Sequence, residues 1–342
     1  MTSHRVLYVG PIDGTCLDRA RAMQRLGHQV THIDLRRWLP RTIWVDRVIW
    51  RLGGHLFGAW LAHQIRRRLA GQRFDLVYVD NGECVSPMVV RAFHELAPKV
   101  VNYNIDDPTG GRDMRRFLAY RRALPFYDLV AVVRQENVAE CRALGARRVI
   151  RVWRSADEVS HAPRTLTPEL QAKWGSDVLF LGTWMPERGT FLSKLIALGV
   201  PLTIRGSHWQ KAPEWPMLAP HWKGGSISGD DYALALQCAK VNLGLVSKGN
   251  RDLHTTRSLE IPALGAMFCA ERTSEHLQMY NDGFEAVFWR DAQECAEHCL
   301  SLLRDEPRRQ AIAQAGHARF KANRHGNENV VARVLQESVG LI

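Results

Sequence analysis

Short apolar runs alternate along this chain with longer segments whose apolar positions recur every three or four residues. The runs RVLYVG (5–10), QVTHIDL (29–35), DLVYVD (75–80), KVVNYNID (99–106), DLVAVV (128–133) and RVIRVW (148–153) predict six strands, with amphipathic helices between them. Strands separated by helices predict a mostly parallel sheet covered on both faces. From Ser155 to Trp174 the alternation stops; Pro163 and Pro168 interrupt a stretch with little periodicity, which reads as a linker. It restarts with DVLFLGT (177–183), PLTIRG (201–206), VNLGLV (241–246), AMFCAE (266–271) and EAVFW (285–289). The expected architecture is α/β, with two doubly wound Rossmann-like halves. Its expected parts are a first domain over 1–155, a linker over 156–174, a second domain over 175–322, and a C-terminal helix over 323–342 packing back on the first. Two such halves place a cleft between them, lined by the carboxyl ends of both sets of strands, where ligands are expected.

Composition agrees with that frame and adds charge. A chain of 342 residues with 46% hydrophobic residues can fill two cores, and 24% charged residues without a low-complexity tract argue against long disorder. The seven cysteines are scattered, odd in number and form no C-x-x-C pair, which fits a reducing compartment. Cys295, His298 and Cys299 read as helix surface plus buried thiols rather than as metal ligands. MTSHRVLYVG runs straight into a strand, and no window reaches the roughly 18 apolar residues of a membrane span, so a cytoplasmic protein is expected. The net charge of +11 points to an anionic partner: nucleic acid, a membrane face or a phosphorylated substrate.

Several familiar chemistries lack their motifs. Gly10-Pro-Ile-Asp-Gly14 and Gly182-Thr-Trp-Met-Pro-Glu-Arg-Gly189 both miss the G-x-G-x-x-G pattern of nicotinamide enzymes. No G-x-x-x-x-G-K-[ST] loop, G-x-S-x-G elbow or H-E-x-x-H occurs, which removes the commonest ATPases, α/β-hydrolases and zinc proteases.

The stretch RDLHTTRSLEIPALGAMFCA (251–270) is distinctive, because Glu260 interrupts an apolar run. Proline is tolerated only near a helix start, so Pro262 pins a helix N-terminus close to Thr256–Ser258. The amides of Ser258, Leu259 and Glu260 are then expected as free donors. With the hydroxyls of Thr255, Thr256 and Ser258 and the cation Arg257, they form a site for a phosphate or diphosphate. The plainer alternative makes Ser258 an N-cap and Glu260 a first-turn acid favoured by the helix dipole.

Asp252 precedes Glu260 by eight positions, giving an acid, seven residues and then Glu. The block RSLEIPALGAMFCA, followed by FEAVFW and DEPRRQAIAQAGHARF, resembles the C-terminal region of GT-B glycosyltransferases, nearest to the CgeB-like (spore maturation, glycosyl transferases group 1) proteins of bacteria. NIDDP (104–108), YDLVAVVRQENVAECRALGARRV (127–149) and the helices after Asp305 extend the resemblance more weakly over most of the chain. It implies a glycosyltransferase (hexosyltransferase-like) of the GT-B fold that uses a nucleotide-diphosphate sugar, of UDP or dTDP type, as co-substrate and needs no cofactor. Glu260 would then bond the nucleotide ribose, and the helix start around Thr256–Leu259 would hold the diphosphate. Arg188, with Gly182 and Thr183 in the same loop, and Lys248 would supply donors and charge to the leaving group, while Trp209 or Trp222 would frame the base. Asp252 stands where the family usually has Glu, one methylene longer.

The acceptor, a glycan, protein or small molecule, would bind the first half. Asp13, Glu83, Asp106 and Asp107 lie at strand ends there, and Asp13, Asp106 and Asp107 are the candidate bases for its proton. The acid-seven-Glu spacing leans toward retention, in which such a base is not used. The Asp106-Asp107 pair departs from a D-x-D metal motif, so metal independence is expected. Residues 36–69 are basic and aromatic with apolar positions at helical spacing, which fits either two ordinary helices on the sheet or peripheral contact with an anionic membrane. Two other classes stay open: a GT-B-shaped sugar-nucleotide epimerase, and a basic nucleic-acid-binding or structural protein. The absence of RNP strands and the spread of charge over both halves disfavour nucleic acid.

Overall fold

In the computed structural model, which describes residues 3–113 and 115–339, the chain divides into two compact units. One contains residues 1–154, 248–251 and 327–342, and the other contains 155–247 and 252–326. Residues 1–2 of the MTSHRVLYVG run and residues 340–342 of the C-terminal segment lie outside the described residues.

The first unit has six parallel strands: β1 (Arg5–Val9), β2 (Gln29–Ile33), β3 (Leu76–Asp80), β4 (Val100–Asn104), β5 (Leu129–Val132) and β6 (Val149–Arg151), in the order β2-β1-β3-β4-β5-β6. The second has five: β7 (Ser176–Leu181), β8 (Leu202–Arg205), β9 (Ala239–Gly244), β10 (Phe268–Glu271) and β11 (Val287–Trp289), in the order β11-β10-β9-β7-β8. Every apolar run singled out above forms a strand; most are trimmed at their ends, while β7 and β9 begin one and two residues before their runs. Each sheet reverses its order once, between β1 and β3 and between β7 and β9. Ligands of open parallel sheets bind outside the carboxyl ends at such a reversal.

Burial explains why these segments are strands. All residues of β3 and β4 are buried, as parallel strands covered on both faces must be. Their side chains alternate: Val77, Val79 and Val100 pack with Leu61, Ile65, Val89 and Phe93 from the helices Gly58–Arg68 and Pro87–His94. Val6, Tyr8, Tyr78 and Val101 face the other way, onto Ala20 and Met23 of the helix Gly14–Arg25 and Val330, Val331, Val334 and Leu335 of the helix Asn327–Val339. An Arg25–Glu328 pair at 2.6 Å fastens that last helix to its neighbour.

In the second unit Val178, Phe180, Ile204, Val241 and Leu243 pack with Leu192, Leu195, Cys295 and Cys299 of the helices Pro186–Ala197 and Ala292–Arg304. The 156–174 stretch, read as a linker, lies within this unit. Thr167 caps a helix, Pro168–Trp174, by accepting from the Leu170 amide, and Gln171 Nε2 donates to Cys238 O at 2.9 Å. Thr-Pro-Glu is a helix-start signal. Among the described residues no helix is long and apolar enough to cross a membrane.

Candidate functional site

The loop after β7 is fixed by its neighbours. Gly206 sits at φ +140°, and a Cβ there would come within 2.0 Å of the Gly182 carbonyl oxygen, so only glycine lets the loops after β7 and β8 approach this closely. Trp209 is 0% exposed; its Nε1 donates to Gly182 O at 2.9 Å, and its ring packs edge-on against Phe180. The enclosed indole anchors the loop, and Trp209 turns no face to solvent in the way that framing a base was expected to require. Trp222 Nε1 donates to Gly206 O at 3.2 Å. Arg188 lies in the first turn of the Pro186–Ala197 helix, not in the loop, and is buried with Nη1 donating to Thr183 O at 2.9 Å and its guanidinium over Phe180. It thereby orients Thr183. Trp209→Phe removes the indole donor and leaves Gly182 O short of a partner; the expected cost is about 1–2 kcal/mol, measured as a lower urea midpoint with unchanged slope.

The segment after β9 is built around the helix Arg257–Ala263, which begins where Pro262 requires. Pro262 has no N–H to give the Ser258 carbonyl; Tyr280 Oη donates to that oxygen instead, at 2.8 Å. The free donors differ from those expected. Ser258 N–H donates to Thr255 O, and the amides of Leu259 and Glu260 both donate to Thr256 O, because the chain already turns at Thr256. Ser258 Oγ accepts from the Thr255 amide and bonds His276 Nε2 at 2.8 Å. His276 Nδ1 lies 2.6 Å from the Glu271 carbonyl oxygen, so Nδ1 carries the proton and Nε2 accepts from Ser258. Burial lowers the His276 pKa to about 4, which keeps that ring neutral. The Ser258 hydroxyl and the amides of Ser258 and Leu259 are therefore occupied within the fold, and the donors left open lie one to three positions earlier. Among the described residues, the hydroxyls of Thr255 and Thr256 and the amides of Thr256 and Arg257 make no hydrogen bond, and the Arg257 guanidinium has no carboxylate partner.

Glu260 is 4% exposed. Its Oε2 accepts from Tyr232 Oη, while Oε1 lies 3.7 Å from His161 Nε2, beyond hydrogen-bond distance. Burial, and then the Glu260 charge, push the Tyr232 pKa well above its ordinary value, so the phenol stays a donor. Among the described residues Oε1 makes no hydrogen bond. Asp252 is buried, its amide donating to Ser247 O. Lys248 is exposed and groups with the first unit, whereas the other donor candidates group with the second.

In the first unit the candidate bases separate. Asp107 is clamped: Arg251 donates to both of its oxygens at 2.6 and 2.8 Å and also grips Glu140, while Asn137 Nδ2 adds a bond at 2.7 Å. Burial acts to raise the Asp107 pKa, but these bonds and the Arg134 charge outweigh it and leave the carboxyl below its ordinary range. It is not a free base. Asp106 Oδ2 accepts from Asn81 Nδ2 at 2.7 Å. Asp13 is exposed, with Arg37 at 4.0 Å and no capping bond to the helix it precedes.

The crevice at the β1–β3 reversal is instead a cavity of about 230 Å³ lined by the candidate Glu83 and by residues the pattern did not single out, among them Arg19, Asp80, Cys84 and Arg116. Asp80 ends β3, buried; Arg19 Nε donates to its Oδ2 at 2.7 Å and Tyr8 Oη donates to the same oxygen. Its Oδ1 has no donor among the described residues. Arg116 holds Glu83 through two bonds.

Residues 188–336 match the family model described as glycosyl transferase-like. No curated protein matches the chain. Among solved structures, Anabaena HepE in complex with UDP-glucose gives a TM-score of 0.68 at 13% identity, over 98% of this chain and 100% of that one. Sucrose-phosphate synthase from Thermosynechococcus elongatus gives 0.66 at 12%, over 98% and 99%. A Listeria monocytogenes protein described as a UDP-N-acetylglucosamine 2-epimerase gives 0.57 at 12%, over 98% and 95%. At these identities the likeness is one of fold, that of the GT-B glycosyltransferases.

The glycosyl transferase-like span begins at Arg188 and contains Lys248, Asp252 and the whole Thr255–Glu260 segment; Gly182, Thr183 and all three candidate aspartates fall outside it. Two residues around Glu260 carried no usable signal: Tyr232 is 28 positions away on another helix, and His161 sits in the stretch read as a linker. For metals, the one cluster of ligand-type side chains among the described residues is Cys269, Cys295 and Cys299. Their ligand atoms lie within 4.8 Å of one another, enclosed in the second core. His298 points elsewhere, 3.8 Å from Glu294.

Proposed function

We propose that the protein is a glycosyltransferase of the CgeB-like group that takes its sugar from a nucleoside diphosphate sugar, of UDP or dTDP type, bound by the second unit. One observation carries this reading: in the segment between β9 and β10, two threonine hydroxyls, two amides and the guanidinium of Arg257 are all without an acceptor or counter-charge among the described residues, close in sequence to the buried carboxylate of Glu260. Donors gathered without acceptors fit a diphosphate, whose charge grows as the glycosidic bond breaks; contacts that strengthen with that charge lower the barrier. The unfilled Oε1 of Glu260 fits a ribose hydroxyl. UDP and UDP-glucose in the HepE structures support the donor class by likeness of fold.

The acceptor, a glycan, protein or small molecule, is read onto the crevice of the first unit, where Asp80 Oδ1 awaits a hydroxyl or amine donor. With Asp107 clamped, Asp106 bonded to Asn81 and Asp13 in solvent, none of the three expected bases is poised to take a proton, which supports retention. Charge on the leaving group is met by Arg257 and the amides, and the reading therefore includes metal independence.

A thermal-shift screen of UDP, dTDP, GDP and ADP against RNA tests the reading. One nucleoside diphosphate, at about 100 times its dissociation constant, is expected to add about 2.7 kcal/mol and raise the melting temperature by several degrees. Stabilisation by RNA alone would overturn it.

A further inference from the structure

The helix Ile43–Leu52 turns an unusual face outward. At the helical repeat, Val45, Val48, Ile49 and Leu52 share one side, and Val45 and Ile49 pack on the first core. Ile43, Trp44, Arg47, Trp50 and Arg51 share the other. There Trp44 is 70% exposed, Trp50 64% and Ile43 61%, and Leu56 at 65% follows just beyond the helix end. Exposed apolar residues on a protein that works alone in solution are scattered singly; indoles gathered like this mark an interaction surface.

Its charge says what would cover it. Residues 36–69 carry eight arginines against one acid, Asp46, which is taken by Arg36. Arg41, Arg47 and Arg51 make no ion pair among the described residues. The Arg47 guanidinium lies over Trp44 at 5.3 Å, and Arg116 lies over Trp50 at 4.5 Å. Arg116 is held by Glu83, but indoles on one face with Arg41, Arg47 and Arg51 match the headgroup layer of an anionic bilayer, where the ring sits at the acyl boundary and the cation at a lipid phosphate. A second copy of the chain fits worse: a symmetric contact through this face would set arginines against arginines.

We propose that this face docks the protein on an anionic lipid bilayer, with Ile43, Trp44, Trp50 and Leu56 entering the headgroup layer and Arg41, Arg47 and Arg51 on the lipid phosphates. The contact is independent of the transfer chemistry. It requires no nucleotide, so its failure and that of the donor reading are separable.

Sedimentation of the full chain with vesicles of phosphatidylcholine containing about 30% phosphatidylglycerol, against phosphatidylcholine alone, tests it without nucleotide. The expected result is partition onto the anionic vesicles that weakens as salt rises. The pair Trp44→Ser/Trp50→Ser and the pair Arg47→Glu/Arg51→Glu are each expected to lower partition by about tenfold or more. Both should keep the wild-type melting temperature, because these side chains are largely in solvent. Three results would overturn the proposal: no partition onto anionic vesicles, partition unchanged in both variants, or a lipid-free dimer that Trp44→Ser/Trp50→Ser dissolves.

Discussion

Glu260→Gln lowers the affinity for the bound nucleoside diphosphate by about 10–100-fold while the fold persists. The magnitude is that of one charge-assisted hydrogen bond, roughly 1.5–3 kcal/mol, lost from a ribose hydroxyl to Oε1. Glutamine is the informative change. It retains an oxygen for the Tyr232 hydroxyl and fills the same volume, whereas alanine would leave that buried phenol unpaired. Tyr232→Phe is the matching control. It removes the partner of Oε2, leaves Oε1 in place, and is expected to weaken nucleotide binding by no more than a few-fold. Titration calorimetry on the three proteins gives the comparison; equal affinity in wild type and Glu260→Gln would leave Glu260 a purely structural acid.

Arg251→Ala destabilises the first unit by about 3 kcal/mol, enough to lower its melting temperature by roughly 6–12 °C. Arg251 holds a left-handed backbone, φ +51°, and grips Asp107 and Glu140 together. Asp107 is the buried partner, with 4% of its side chain exposed, and loses both Arg251 bonds while Asn137 remains; Arg251 and Glu140 are each about one third exposed, so the lower end of the range for a broken buried pair applies. The effect depends on pH. Hydrogen bonds from Arg251, against a smaller opposing effect of burial, lower the Glu140 pKa from 4.5 to about 2, and Asp107 is lowered as well. Below an unfolded-state value but above the folded one, the unfolded chain binds the extra proton. The stabilisation is therefore complete above pH 4.5 and is lost as pH falls toward 2. Calorimetry of wild type and Arg251→Ala should show the gap closing over that range; a gap constant down to pH 3 would contradict the clamp.

The strands were legible because a parallel strand buried on both faces leaves a compact apolar run, and their parallel sense followed from the helices between runs; the strand order within each sheet did not. The start of the Arg257–Ala263 helix was legible too, since Pro262 fixes it locally. Which donors stay open was not. That depends on a turn at Thr256 spending the amides of Leu259 and Glu260, and on His276, 18 positions away from Ser258, occupying its hydroxyl. Trp209 shows the same limit: a tryptophan at a strand end reads alike whether it faces a ligand or, as here, the Gly182 carbonyl. Asp106 and Asp107 drew notice as adjacent acids, yet the Arg251 clamp on Asp107 spans 144 positions and no local pattern records it. Asp80 escaped notice because it ends a strand as one more residue of an apolar run, although Arg19 and Tyr8 both converge on it.

The most direct measurement of the central claim is a crystal structure of the chain soaked with UDP and, in parallel, dTDP. The account predicts a nucleotide whose diphosphate receives the Thr255 and Thr256 hydroxyls, the amides of Thr256 and Arg257 and the Arg257 guanidinium, and whose ribose bonds Glu260 Oε1. A nucleotide bound away from this helix start, or none at millimolar concentration, would contradict it.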